Sequence, residues 1–228
     1  MQVTALHPTV PTDAVLFDMD GLLFDTERLF FDAMRAAGRE SGHEVTRDLY
    51  ASLIGHTREA NHALLRGHFG ADFAAEAFHD RCHRHMDALL GEGLRLKPGA
   101  VELLDLLDAL ELPRALVTSS ARASVDRNLA AVGLAGRFDA VVAHGDYARG
   151  KPDPEPYILA AARLGVEPAR CLALEDSHNG VRAAAAAGAV TVMVPDMLEA
   201  TDEMRGLSAA VLPDLYAVVA MLEAGMGI

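Results

Sequence analysis

Residues 15–27 read VLFDMDGLLFDTE, a short apolar run followed by Asp18, Asp20 and Asp25. Two carboxylates one residue apart repel each other, and each loses hydration in a concave site. DMDG also suits a plain turn, with an Asx-type hydrogen bond and Gly21 at positive φ. The residues just before it bear on that choice. AVLFD, 14–18, is apolar on both parities, as in a strand buried on both faces. A carboxylate pair at the mouth of such a strand points to a cation or a proton task.

Runs of the same kind recur at RALVT 114–118, DAVVAH 139–144, CLALE 171–175 and VTVMV 190–194. Helix-length segments separate the later ones. SARASVDRNLAAVG starts near Ser119 or Ser120, PDPEPYILAAARLG opens on prolines, and SHNGVRAAAAAG starts at Ser177. Gly133, Gly165 and Gly188 close them, which is the expected asymmetry of helix termini. Alternating strands and helices predict an α/β fold, a Rossmann-like parallel sheet with right-handed crossovers. Between 22 and 95 the rhythm fails, and the helical pieces are Asp25–Ser41, Thr46–Ile54, Arg58–Phe69 and Ala71–Leu90. This predicts an all-helical domain, 22–95, inserted into an α/β core of 1–21 plus 96–228, with Pro98 and Gly99 marking the return.

A hydrophobic fraction of 51% supports a packed core, and a net charge of −13 offers no basic surplus for nucleic acid or anionic lipid. A phosphorylated small molecule stays compatible with that charge. The two cysteines, Cys82 and Cys171, form no disulfide framework and suit a reducing compartment. MQVTALHPTVPTD has neither the basic start nor the apolar stretch of a signal peptide. No segment approaches the roughly 20 apolar residues of a membrane span. The expectation is a cytoplasmic protein, a monomer or weak dimer, without nucleic-acid or membrane partners.

Open parallel sheets bind ligands outside the carboxyl ends of their strands. Those ends carry Asp18 and Asp20, then Thr118 and Ser119, then Glu175 and Asp176, with Lys151 in the loop after the third run. Singly, TSS and EDSHNG read as helix caps and GKPDP as a stiffened turn with a solvated lysine. Together, four carboxylates, a hydroxyl and a lysine on one sheet edge specify chemistry.

The constellation resembles the haloacid dehalogenase superfamily, in the phosphatase and phosphomutase branch with a helical cap after the first motif. FDMDGLLFDTE resembles its first motif, VTSS its second, Lys151 of GKPDP its third and EDSHNG its fourth. The resemblance implies Asp18 as nucleophile, forming an aspartyl-phosphate. It implies Asp20 as general acid and then base. It implies Mg²⁺ held by the Asp18 carboxylate, the Asp20 backbone carbonyl and the Asp176 carboxylate, with Glu175 supporting or joining. Thr118 and Lys151 would hold phosphate oxygens, the Ser119 and loop N–H groups would add neutral donors, and Arg58 of GHTRE, 55–59, would contact substrate.

GDYARGK, 145–151, imitates a phosphate-binding P-loop, but Pro152 stands where Ser or Thr is required. His79, Cys82 and His83 fall at helical i, i+3, i+4 spacing suited to a transition metal or to a packed face. Asp20 argues against a dehalogenase, and the absence of lysine from 22–95 argues against a Schiff-base phosphonatase. A hexose-phosphate mutase related to β-phosphoglucomutase is the alternative. The mutase pattern has a histidine where Phe30 stands, and a lysine on the cap. The expected activity is therefore a phosphatase of small phosphorylated metabolites, with a non-catalytic binding protein as the remote alternative.

Overall fold

The computed structural model describes residues 12–54 and 58–226. Its contacts divide the chain into two compact units, Met1–Phe24 with Arg95–Ile228, and Asp25–Leu94.

Strand β1, Ala14–Phe17, is buried along its whole length. It is followed by the helical unit, with α1 Thr26–Glu40, α2 Arg47–Ala51, α3 Arg58–Phe69 and α4 Ala75–Glu92. Thr46 caps α2, its Oγ1 accepting from Leu49 N at 3.2 Å. Helix α4 begins at Ala75, four residues later than expected, because Gly70 at φ 115° ends α3 and Ala71–Ala74 are spent on a turn. In this unit α1 packs against α4, and Phe30 lies against Tyr50 and His83, both at 6.3 Å between ring centroids.

The other unit continues with α5 Ala100–Ala109, β2 Arg114–Ala121, α6 Arg122–Ala131, β3 Ala140–His144 and α7 Glu155–Leu164. Then come β4 Cys171–Glu175, α8 His178–Ala186, β5 Val190–Met193, α9 Asp202–Leu207, β6 Ala210–Val211 and α10 Leu215–Met226. The six strands form one sheet in the order β3-β2-β1-β4-β5-β6, every neighbouring pair parallel. This is the expected α/β architecture. Leu16 and Ala173 are register partners in the β1–β4 pair, and their buried cluster includes Tyr157, Ala160 and Ala161 of α7 and Ala183 and Ala184 of α8. Small alanines let the helices approach the sheet closely. Each large aliphatic side chain buried there contributes about 1.5–3 kcal/mol. Among the described residues no helix is long and apolar enough to cross a membrane.

One boundary differs from the sequence reading in a way that matters for the site. Strand β2 runs on to Ala121, so α6 starts at Arg122 and neither Ser119 nor Ser120 caps it.

Candidate functional site

The strand order places the ends of β2, β1 and β4 side by side. Asp18 N donates to Leu174 O at 3.0 Å, fixing the end of β1 beside β4. The chain then turns tightly, Leu23 N and Phe24 N both donating to Met19 O and Gly21 adopting φ 85°. DMDG is thus a turn as well as a pair of carboxylates. Its far side pairs with the returning chain, Lys97 N donating to Leu23 O at 2.9 Å.

Asp18, Glu175 and Asp176 converge here, all buried, with one carboxylate oxygen from each lying within 4.8 Å of the others. Lys151 reaches in from the loop after β3 with its side chain only 6% exposed. Its Nζ donates to Asp18 Oδ1 at 2.5 Å, Glu175 Oε1 at 2.5 Å and Val117 O at 2.9 Å. Asp20 is held separately, its Oδ2 accepting from Ser120 Oγ at 2.7 Å and from Thr118 Oγ1 at 3.5 Å. Ser120 N in turn donates to Thr118 Oγ1 at 3.0 Å.

Glu175 is wholly buried and fully engaged. Oε1 accepts from Lys151 and from the Tyr157 hydroxyl at 2.5 Å, and Oε2 accepts from Ser177 Oγ at 3.1 Å and Ser177 N at 3.4 Å. Ser177 also caps α8, accepting from Gly180 N at 3.1 Å. Gly180 is what lets the carboxylate sit there, because a Cβ on it would lie 1.9 Å from Glu175 Cδ. Although that carboxyl ends a flexible side chain, its four donors leave it no other satisfied position. Gly180→Ala is expected to break the buried Glu175–Lys151 pair, costing about 3–5 kcal/mol and lowering the melting temperature by roughly 10 °C. A melting curve matching the native protein would contradict this.

The charges explain what else the site accepts. Three buried carboxylates face one ammonium. Burial pushes the Asp18 carboxyl well above the usual carboxylate range; Lys151 pulls it down, while Glu175 and Asp20 add to the rise. Burial also opposes the Lys151 charge, but Asp18 and Glu175 outweigh it and hold the ammonium charged well above its ordinary range. The donor set is all hard oxygen with excess negative charge, which fits a small divalent cation such as Mg²⁺ and not a thiolate- or imidazole-seeking metal.

Ser119 and Arg58 are the other residues expected at the site. Ser119 is exposed, because alternate residues of an extended strand face opposite ways and Thr118 shares its side with Ser120. Ser120 therefore turns its hydroxyl to Asp20, whereas the group expected to act at Ser119 is its backbone N–H. Arg58 opens α3 and, with Phe30, Tyr50, His62, Phe78 and His79, lines a cavity of about 210 Å³ within the helical unit. Gly55, His56 and Thr57 of GHTRE lie outside the described residues. His79 Nε2 and His83 Nε2 are 2.8 Å apart, sharing a hydrogen bond. Burial first, then His83, Arg58 and His62, hold the His79 imidazole down to about 4, so it is neutral at physiological pH. Burial pushes the Cys82 thiol up to about 12. Among the described residues the carboxylate cluster is the one group of three or more such side chains with ligand atoms within 4.8 Å. GDYARGK is no P-loop, since α7 begins only at Glu155.

Tyr157 was not legible as part of the site. The available signal was a tyrosine among alanines on α7, whose buried hydroxyl must find an acceptor.

The pattern shared by haloacid dehalogenase-like hydrolases matches residues 12–188. A phosphorylated carbohydrates phosphatase from Thermotoga maritima is 35% identical over 176 residues, 77% of this chain and 82% of that protein. The structure of CbbY from Rhodobacter sphaeroides in complex with phosphate superposes with a TM-score of 0.75 at 29% identity, covering 93% of this chain and 99% of the other. That of a hydrolase of the same family from Deinococcus radiodurans, with bound phosphate and sodium, gives 0.80 at 29% identity, covering 95% and 97%.

Proposed function

The chain belongs to the haloacid dehalogenase-like hydrolases, and on that premise we propose that it is a Mg²⁺-dependent phosphatase of small phosphate monoesters, phosphorylated sugars or related metabolites. The observation that carries this reading is the convergence of Asp18, Lys151, Glu175 and Asp176 at one strand edge.

In this reading an Asp18 carboxylate oxygen attacks phosphorus, and the phosphorus–alkoxide bond breaks to leave an aspartyl-phosphate. Asp20 gives its proton to the departing alkoxide, then takes a proton from the water that hydrolyses the acyl phosphate. Ser120 and Thr118 hold the Asp20 carboxyl for both tasks. Lys151 supplies positive charge to the phosphoryl oxygens, where phosphoryl transfer needs it. Asp18, Asp176 and the Asp20 carbonyl would hold Mg²⁺, which neutralises phosphate charge and screens the carboxylates from one another. Glu175, with both oxygens engaged, supports Lys151 instead of ligating.

The helical unit, Asp25–Leu94, is read as the family's cap domain, with Arg58 assigned to the substrate. Phe30 packs against Tyr50 and His83 and brings no hydrogen-bonding group where the mutase pattern has a histidine. That favours the phosphatase over the mutase.

The test is a panel of phosphate monoesters, with phosphate release measured in Mg²⁺ and in chelator. Release from sugar phosphates that stops on chelation is expected. No release from any ester, undiminished release in chelator, or glucose 6-phosphate formed from β-glucose 1-phosphate without free phosphate would overturn the reading. Asp20→Asn is expected to lower kcat/KM, which reports the phosphorylation step, about 100-fold or more for sugar phosphates and much less for p-nitrophenyl phosphate, because p-nitrophenolate leaves without a proton. Meanwhile kcat falls for both through the shared hydrolysis step. Equal losses in kcat/KM would remove Asp20 from the acid role.

A further inference from the structure

We propose that Tyr157 is a positioning residue for phosphoryl transfer, setting the Glu175–Lys151 pair from beneath and through it the place and charge of the ammonium. The inference rests on the reading of Lys151 as the phosphate-holding cation.

Three observations bear on it. Tyr157 is fully buried in the α7 face that packs on the sheet, so its hydroxyl must be satisfied within the protein. That hydroxyl donates to Glu175 Oε1 at 2.5 Å, the same oxygen that accepts from Lys151 Nζ at 2.5 Å. The Lys151 ammonium also lies 5.2 Å from the centroid of the Tyr157 ring, within cation–π range. One side chain thus touches both partners of the pair by two different means.

A tyrosine serving only to fill the core could satisfy its hydroxyl on any carbonyl. Here the phenol shares the one carboxylate oxygen that pairs with the ammonium. Burial and then the Glu175 charge keep the phenol protonated, so its O–H stays available to donate to Oε1. Its donation draws negative charge from Oε1, weakening the hold of Glu175 on Lys151 and leaving more positive charge for a phosphoryl oxygen. The ring meanwhile supports the ammonium from one side. The three hydrogens of Nζ go to Asp18, Glu175 and the Val117 carbonyl, so a shift of Glu175 is transmitted directly to the ammonium.

Tyr157→Phe separates the two contacts, keeping ring and volume while deleting the hydroxyl. With p-nitrophenyl phosphate and Mg²⁺, we expect kcat to fall about tenfold and KM to change by no more than about twofold, the pattern of a contact felt in the transition state. Inhibition by orthovanadate is expected to weaken by a similar factor, and Tyr157→Leu to lose about a further tenfold as the ring support goes. If Tyr157 acts through Glu175, Tyr157→Phe adds nothing in a Glu175→Gln background.

Circular dichroism separates positioning from mere packing. A kcat within twofold of native, a loss accounted for by the unfolded fraction, or effects of Tyr157→Phe and Glu175→Gln that multiply would each overturn the proposal. Lys151→Met is measured alongside: native activity there would overturn the underlying reading, whereas an inactive Lys151→Met with an unaffected Tyr157→Phe overturns the Tyr157 proposal alone.

Discussion

Asp18→Asn is expected to abolish turnover, by at least about a thousandfold, while leaving the fold intact. The amide keeps the shape of the side chain, and its oxygen still accepts from Lys151, but it cannot form the acyl phosphate. Stability should not fall at neutral pH, and the sign follows from the titration. Burial raises the folded pKa of Asp18, so its ionised form costs stability above the unfolded value of about 3.9. That cost is relieved as pH falls through the raised folded value. Asparagine carries no such charge, so the variant should melt at or above the native temperature at pH 7, the difference closing in acid. Cation-dependent release at more than a few per cent of the native rate would remove Asp18 as nucleophile. Unfolding of the variant would show that the charge is needed for the fold.

Lys151→Met is expected to have the second largest effect, on activity and stability together. Methionine fills the channel occupied by the lysine stem, but Asp18 and Glu175 then face each other without the ammonium between them. Breaking a buried pair in this way costs about 3–5 kcal/mol. Loss of the positive charge on the phosphoryl oxygens should lower kcat by about a thousandfold. Without Lys151 the Asp18 carboxyl is pushed higher still, because the lysine is the one neighbour pulling it down. The stability deficit should therefore be largest at pH 7–8 and shrink as the solution is acidified towards pH 5, as the buried carboxyl regains its proton. Thermal melts across that range test this, and a deficit that grows in acid would contradict the charge account. Saturating Mg²⁺ should restore part of the stability and little of the activity.

The sheet and most of the site were legible because the responsible residues are local. Strands buried on both faces announce themselves as apolar runs of both parities, and their ends fix where carboxylates emerge. AVLF, the apolar part of RALVT, and CLALE became the central strands, and Asp18, Glu175 and Asp176 follow from them. What failed was mostly non-local. Strand β6 has two residues and is paired only with β5, so its sequence carries no period. Helices α9 and α10 flank it without a strand signal to frame them. The Ser120 hydroxyl is not marked in the sequence, because the apolar strand run ends at Thr118. Extending it to Ala121 returns the parity to Ser120, and that extension depends on pairing with β3 through an irregular register after Val117. Tyr157 was hidden for the same reason: its partner, Glu175, is 18 residues away on another element.

The central claim is that the phosphoryl group passes through Asp18, with the other residues arranged to make that transfer fast. The most direct measurement is a rapid acid quench of the enzyme turning over a good phosphate ester in Mg²⁺, followed by mass spectrometry of the peptide spanning Asp18. The account predicts one phosphoryl group on that peptide, located at Asp18, accumulating in Asp20→Asn and absent from Asp18→Asn. An enzyme that releases phosphate at its full rate with no phosphorylated peptide in either the native protein or Asp20→Asn would contradict it.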